Sequence, residues 1–216
     1  MQYNFNSPIS KLKRKLARVV PPGFMIYYLL TTAAVYILVN FMDFKEAVQY
    51  LMFNKPLILD GQLWRLFTFT LLPILRMSPL FVVLALIADY FIFKQLEIVW
   101  GTAEILLFLL SSVLAQIASG MLFGYADMSY TLFYTVIFIY SMYYSRQTFY
   151  FMVFPVSAKY FSYIISVMLA IQFFSSHRPV KMSILASLLV FFLYFRRTLI
   201  QNIKLLIRRL SNSNGR

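Results

Sequence analysis

From Phe24 to Met42 the chain runs without a single charged residue, and uncharged apolar stretches of similar kind recur almost to its end. A bilayer-crossing helix needs about 20 apolar residues. A helix on a water-soluble domain keeps one polar face instead, so its sequence alternates. The apolar stretches suffice for roughly five to seven spans. Composition agrees: 61% of the 216 residues are hydrophobic and 12% charged, far from the balance of a soluble globule. The expected fold class is therefore all-α, a polytopic helical membrane protein. The chain has no cysteine, which excludes disulfides, thiolate catalysis, zinc ribbons and iron–sulfur clusters. Its one histidine, His177, leaves little for metal or acid–base chemistry. No metal site and no cofactor are expected.

The formal charge of +13 invites a nucleic-acid reading, but its distribution argues against one. Lys11, Lys13, Arg14, Lys15 and Arg18 precede the first apolar run, and Arg196, Arg197, Lys204, Arg208, Arg209 and Arg216 follow the last. The middle of the chain is nearly neutral. Basic residues beside spans mark the cytoplasmic side, so both termini are read as cytoplasmic and the number of spans as even. Such tails contact the lipid bilayer and its anionic headgroups, and no nucleic acid is expected as a partner.

Along the chain, residues 1–21 form a basic cytoplasmic segment closed by Pro21-Pro22-Gly23, residues 22–197 a membrane domain, and residues 198–216 a basic cytoplasmic tail. The first span, Phe24 to Met42, lacks a small-residue cleavage site and reads as retained, not as a signal peptide. Between Asp43 and Arg65 the recurrence of Phe44, Ala47, Val48, Leu51 and Met52 predicts a short helix at the outer interface. The second span is expected from Leu80 to Phe93, with Lys94, Glu97 and Glu104 marking the cytoplasmic turn. The third runs from Ile105 to Gly124, the fourth from Met128 to Tyr144, the fifth from Tyr160 to Phe174 and the sixth from about Met182 to Phe195. Phe149 to Phe154, stopped by Pro155, reads as an interfacial excursion, and Ser175 to Lys181 as an outer loop. Small residues at four-residue spacing, Ser111-Ala115-Ser119 beside Ser112 and Gly120, then Thr131-Thr135 and Ser183-Ser187, predict close helix packing without chemistry.

Gly61-Gln62-Leu63-Trp64-Arg65-Leu66-Phe67-Thr68, followed by Leu96-Glu97 and Trp100-Gly101, resembles the rhomboid superfamily, as does the Phe154-Pro155-Val156 turn with Ala158 and Lys159 before the fifth helix. The likeness extends over roughly Phe24 to Arg197 and is closest to rhomboid-like membrane proteins of bacteria, with the derlins more distant. It implies a six-helix bundle in a bacterial inner (plasma) membrane, with Trp64, Arg65, Glu97, Trp100 and Gly101 as framework residues. It also implies a lateral gap between the second and fifth helices that admits helices of client membrane proteins.

The departures from the family pattern bear on activity. Rhomboid proteases carry Gly-x-Ser-Gly at the start of the fourth helix, and the matching tetrad here, Met128-Ser129-Tyr130-Thr131, puts Tyr130 at the nucleophile position. The sixth helix has no histidine, and the second-helix positions of the oxyanion-stabilising histidine and asparagine fall near Phe81 and Ala85. A hydroxyl without a base is a poor nucleophile, and a buried oxyanion needs donors. The resemblance thus implies a pseudoprotease, not an enzyme. A rival reading retains an intramembrane serine protease with an improvised Ser129–His177 pair; a third makes the chain a small-molecule transporter or channel, against which stand few intramembrane charges and no inverted repeat. Asp89, in the inner half of the second helix, is either a contact for client helices or a structural acceptor for tyrosine hydroxyls or Lys159; Tyr130 shares that candidacy.

Overall fold

The computed structural model describes residues 16, 20–41, 45–72, 78–128, 135–137, 139, 140, 148–151 and 154–194, the last two segments with backbone alone through 159. It is all-α in its architecture, with one short two-stranded ribbon. Helix α1 (Met25–Phe41) starts where Pro21 and Pro22 end the preceding segment and Gly23 turns with φ 75°. Its inward stripe, Met25, Leu29, Thr32, Tyr36 and Val39, recurs every three to four residues, the spacing of one helix face.

Three short pieces follow. α2 (Lys45–Leu51) is a short helix where the apolar recurrence predicts one. α3 (Lys55–Leu59) is N-capped by Asn54, whose side chain accepts from the Leu57 N–H, and has Pro56 in its first turn. α4 (Arg65–Thr68) runs into a single 3-10 turn, Phe69–Leu71.

α5 (Pro79–Trp100) continues well past the expected end at Phe93, carrying Lys94 and Glu97 within the helix. Charged residues leave hydrocarbon readily but are good helix formers, so they end a span without ending a helix. What ends it is Gly101, whose φ of 81° lies in the left-handed region that only glycine enters without strain. α6 (Thr102–Phe123) begins at once, with Glu104 in its first turn, and closes on the left-handed Gly124. Helical residues 135–137, 139 and 140 belong to the expected fourth span, with a π turn at Thr135 and Val136.

The stretch expected as an apolar excursion is instead part of an antiparallel ribbon, β1 (Thr148–Phe151) with β2 (Phe154–Ser157), in the register Thr148↔Ser157 to Phe151↔Phe154. Aromatic and β-branched residues favour the pleated ribbon, and with only two strands Pro155 sits on an edge, where its missing N–H is tolerated. β2 leads directly into α7 (Ala158–Ser175), and α8 occupies 178–194. The outer loop expected over Ser175 to Lys181 shrinks to a two-residue turn.

The buried core gathers Phe53, Phe93, Leu96, Ile105, Phe108 and Phe191 among others. Among the described residues α6 is the one helix long and apolar enough to cross a membrane, while Met25–Phe41 and Tyr163–Ser175 are shorter apolar helices. Gly120 on α6 lies directly against the Phe53 ring, which is itself packed edge-on against Phe69 at 5.8 Å. A Cβ at position 120 would collide with that ring. Gly120→Ala is expected to destabilise the fold by roughly 1–3 kcal/mol, the usual cost of overpacking, read as a lowered unfolding midpoint in detergent; an unchanged midpoint would mean that Phe53 moves freely.

Candidate functional site

Polar side chains collect at three places inside the bundle. The first is built by the Trp-Arg motif. A helix leaves its last carbonyls without intrahelical partners, and after the Met52 N–H takes the Val48 carbonyl, α2 presents four: those of Gln49, Tyr50, Leu51 and Met52. The Arg65 guanidinium donates to Gln49 and, at 3.0 Å, to Met52. The Trp64 indole donates to Tyr50 at 3.2 Å, and the Thr68 hydroxyl to Leu51 at 2.8 Å. Gln62 accepts from Arg65 Nε at 2.7 Å. Every orphan carbonyl is taken by a side chain one turn or less from the next. Arg65 is buried, and among the described residues no carboxylate pairs with it; its charge faces the negative end of α2 instead.

The second place is the junction of α1, α5 and α6. Both Glu97 carboxylate oxygens accept from the Gly23 N–H, at 3.0 and 3.1 Å, and the Thr102 hydroxyl donates to Oε1 at 2.5 Å. One carboxylate thus serves the positive start of α1 and the first turn of α6 together. Trp100 stacks edge-on against Phe108, with ring centroids 6.1 Å apart, and Gly101 makes the turn between them possible. Glu97→Ala is expected to cost about 1–3 kcal/mol, the range for a lost hydrogen bond to a charged group, with a red shift in Trp100 fluorescence as the α5–α6 corner loosens.

The third place escaped the sequence reading. Gln116 on α6 is fully buried and joins α8: its Nε2 donates to the Ser183 carbonyl at 2.9 Å and to the Ser187 hydroxyl at 2.8 Å, and its Oε1 accepts from the Ser183 hydroxyl at 2.6 Å and from the Asp127 N–H at 3.1 Å. Tyr125, in the loop after α6, donates to Asp127 at 2.9 Å. A second tie between α6 and α8 pairs the Ser111 and Tyr194 hydroxyls at 3.0 Å. The buried line of α6 is thus Ser112, Gln116, Ser119 and Gly120: the expected small residues Ser112, Ser119 and Gly120 lie on it, Ser111 and Ala115 stand beside it, and Gln116 joins it. A lone glutamine among Ala115, Ile117 and leucines was the available signal, since an amide in apolar surroundings must find partners.

Asp89 is buried on the side of α5 that meets α1, within electrostatic reach of Tyr28. The Tyr28 hydroxyl goes to the Thr70 carbonyl at 2.5 Å, not to Asp89. The Lys159 side chain lies outside the described residues, as do Ser129, Tyr130 and Thr131. His177 is exposed in the α7–α8 turn, where its carbonyl accepts from Lys181. Phe81 is exposed on the outer face of α5, Ala85 is half-buried, and neither side chain has a proton to donate. A cleft of about 360 Å³ opens between α7 and α8, elsewhere than the gap between α5 and α7 that the resemblance implies.

No family model, curated protein or solved structure matches this chain.

Proposed function

We propose that this chain is an integral protein of a bacterial inner membrane, a rhomboid-like bundle of six spans with both termini cytoplasmic, which holds helices of other membrane proteins without cutting them. The observation that carries the membrane part is an outer surface more apolar than a water-facing one, around a core that buries polar residues as well as apolar ones. Ile98, Leu122 and Phe174 are 73%, 74% and 79% exposed, whereas Gln116 and Ser183 are 0% exposed. Single exposed apolar residues are ordinary, but here leucine, isoleucine and phenylalanine cover the outward sides of α1, α5, α6, α7 and α8 together. Water penalises that surface; hydrocarbon does not. The interior obeys the complementary rule: among the described residues each buried hydroxyl and amide has a partner, as an environment without water demands.

Holding without hydrolysis is supported by where the chemistry is missing. The α8 serines at the interior are engaged by Gln116, a side chain that takes no proton, and the two α5 positions matched to oxyanion donors are Phe81 and Ala85. The framework residues of the resemblance, by contrast, have structural partners: Trp64 and Arg65 on α2, Glu97 on α1 and α6. Asp89, buried where α1 meets α5, is the residue proposed to meet a basic or polar group of a client helix when that contact opens.

The test uses the full chain in proteoliposomes with a transmembrane helix bearing small, helix-destabilising residues and a photocrosslinker. The expected result is intact helix crosslinked to the chain, with capture reduced in a folded Asp89→Asn variant. Cleavage of that helix, together with a serine-hydrolase inhibitor label that disappears in Ser129→Ala, would overturn the reading in favour of a protease.

A further inference from the structure

We propose that the cleft between α7 and α8 binds one acyl chain of an anionic phospholipid, whose phosphate is held at the turn joining the two helices by Lys181 and Arg178. This rests on the membrane reading above. The walls of the cleft come from matching stripes: Ile165, Leu169 and Phe173 on α7 face Ile184, Leu188 and Phe191 on α8, each recurring at helical spacing. Thr135 and Ser166 add hydroxyl-bearing residues to an otherwise apolar lining.

The cleft, of about 360 Å³, has an almost wholly apolar lining and opens to the surface. On the membrane reading the solvent of that surface is hydrocarbon, so a flexible acyl chain matches it. α7 leaves room for it: apart from Ile165, its described residues from Tyr163 to Ser175 are exposed or half-buried.

Charge at the mouth selects the headgroup. Lys181 lies one turn before Ile184 and Leu185 on the same face of α8, and its Nζ sits 5.7 Å from the centroid of the Phe173 ring, itself a wall of the cleft. Arg178, three residues earlier, is exposed on the adjoining turn. An apolar slot with two cations at its interfacial end complements a chain with a phosphate at its end.

Native mass spectrometry of the full chain in a neutral detergent, titrated separately with phosphatidylglycerol, phosphatidylcholine and glycerol 3-phosphate, tests this. Phosphatidylglycerol is expected to bind roughly 30-fold more tightly than phosphatidylcholine, the scale of two surface charges at about 1 kcal/mol each. Arg178→Gln with Lys181→Gln is expected to erase that preference, and Ala170→Phe, which fills the cleft from its exposed wall, to weaken both lipids. Leu185→Trp supplies a second plug should the first variant fold poorly. Lipid binding unchanged in both plugs, or a preference unchanged without the two cations, would overturn the proposal, as would glycerol 3-phosphate binding as tightly as the lipid. A chain that stays in the aqueous fraction without detergent would instead refute the membrane reading itself, before any lipid is added.

Discussion

Replacing Arg65 by alanine is expected to release α2 from the segment that follows it and to cost roughly 3–5 kcal/mol. The size follows from what the guanidinium leaves behind. Gln49 and Met52 present carbonyls at the end of α2 that no backbone N–H reaches, and the Gln62 amide oxygen loses its donor too. A buried acceptor left unmade costs about 1–3 kcal/mol, and the site is closed to replacement water because Arg65 is only 2% exposed. Arg65→Lys keeps the charge but lacks the planar fork that spans the two carbonyls, so it should recover only part of the loss. Trp64 donates to Tyr50 from the same turn, which makes its fluorescence a local reporter. Both variants should shift its emission to the red at denaturant concentrations where Trp100 is unaffected. A wild-type midpoint in Arg65→Ala would show that α2 is held by its apolar contacts alone.

Gln116→Ala is the second large effect. The substitution removes the acceptor of the fully buried Ser183 hydroxyl and one partner each of the buried Ser187 hydroxyl and the half-buried Asp127 N–H, and it leaves a void between α6 and α8. Interhelical hydrogen bonds inside membranes average about 0.6 kcal/mol each and reach about 1.7. With the cavity added, a loss of roughly 2–4 kcal/mol is expected. The apolar substitution Gln116→Leu restores volume but not partners and should fall between. Because Gln116 and Ser187 share one bond, Ser187→Ala in the Gln116→Ala background should cost less than it does alone, a non-additivity diagnostic of direct contact. Strict additivity in that cycle would mean that the two helices are joined elsewhere, for instance through Ser111 and Tyr194.

The same two positions show how far the sequence reads. Arg65 was legible through the Trp64-Arg65 pair of the family resemblance, which marks it as a framework residue, and its partners are backbone carbonyls within sixteen residues. Gln116 was not, because its partners lie sixty-seven and seventy-one residues away on α8, and the spacing of small residues marked Ser112, Ser119 and Gly120 around it without including it. Helix existence was legible from apolar length, but helix ends were not wherever a span ends in charge: α5 runs on through Lys94 and Glu97 because only Gly101 stops it. The ribbon at Thr148–Ser157 was hidden because aromatic residues serve a bilayer interface and a strand equally well. The α7–α8 cleft depends on how loosely two helices pack, which no local pattern encodes.

The central claim is that the apolar outer surface of this bundle faces lipid while its polar residues turn inward. Because the chain has no cysteine, single-cysteine variants test it without background. Leu84→Cys, Leu114→Cys, Val167→Cys and Leu189→Cys lie on the exposed faces of α5, α6, α7 and α8, and His177→Cys lies in the exposed turn. In intact membranes a water-soluble maleimide should label position 177 and leave the four helix positions untouched until the bilayer is dissolved. Labelling of those four at the rate of position 177 would place the surface in water and contradict the account.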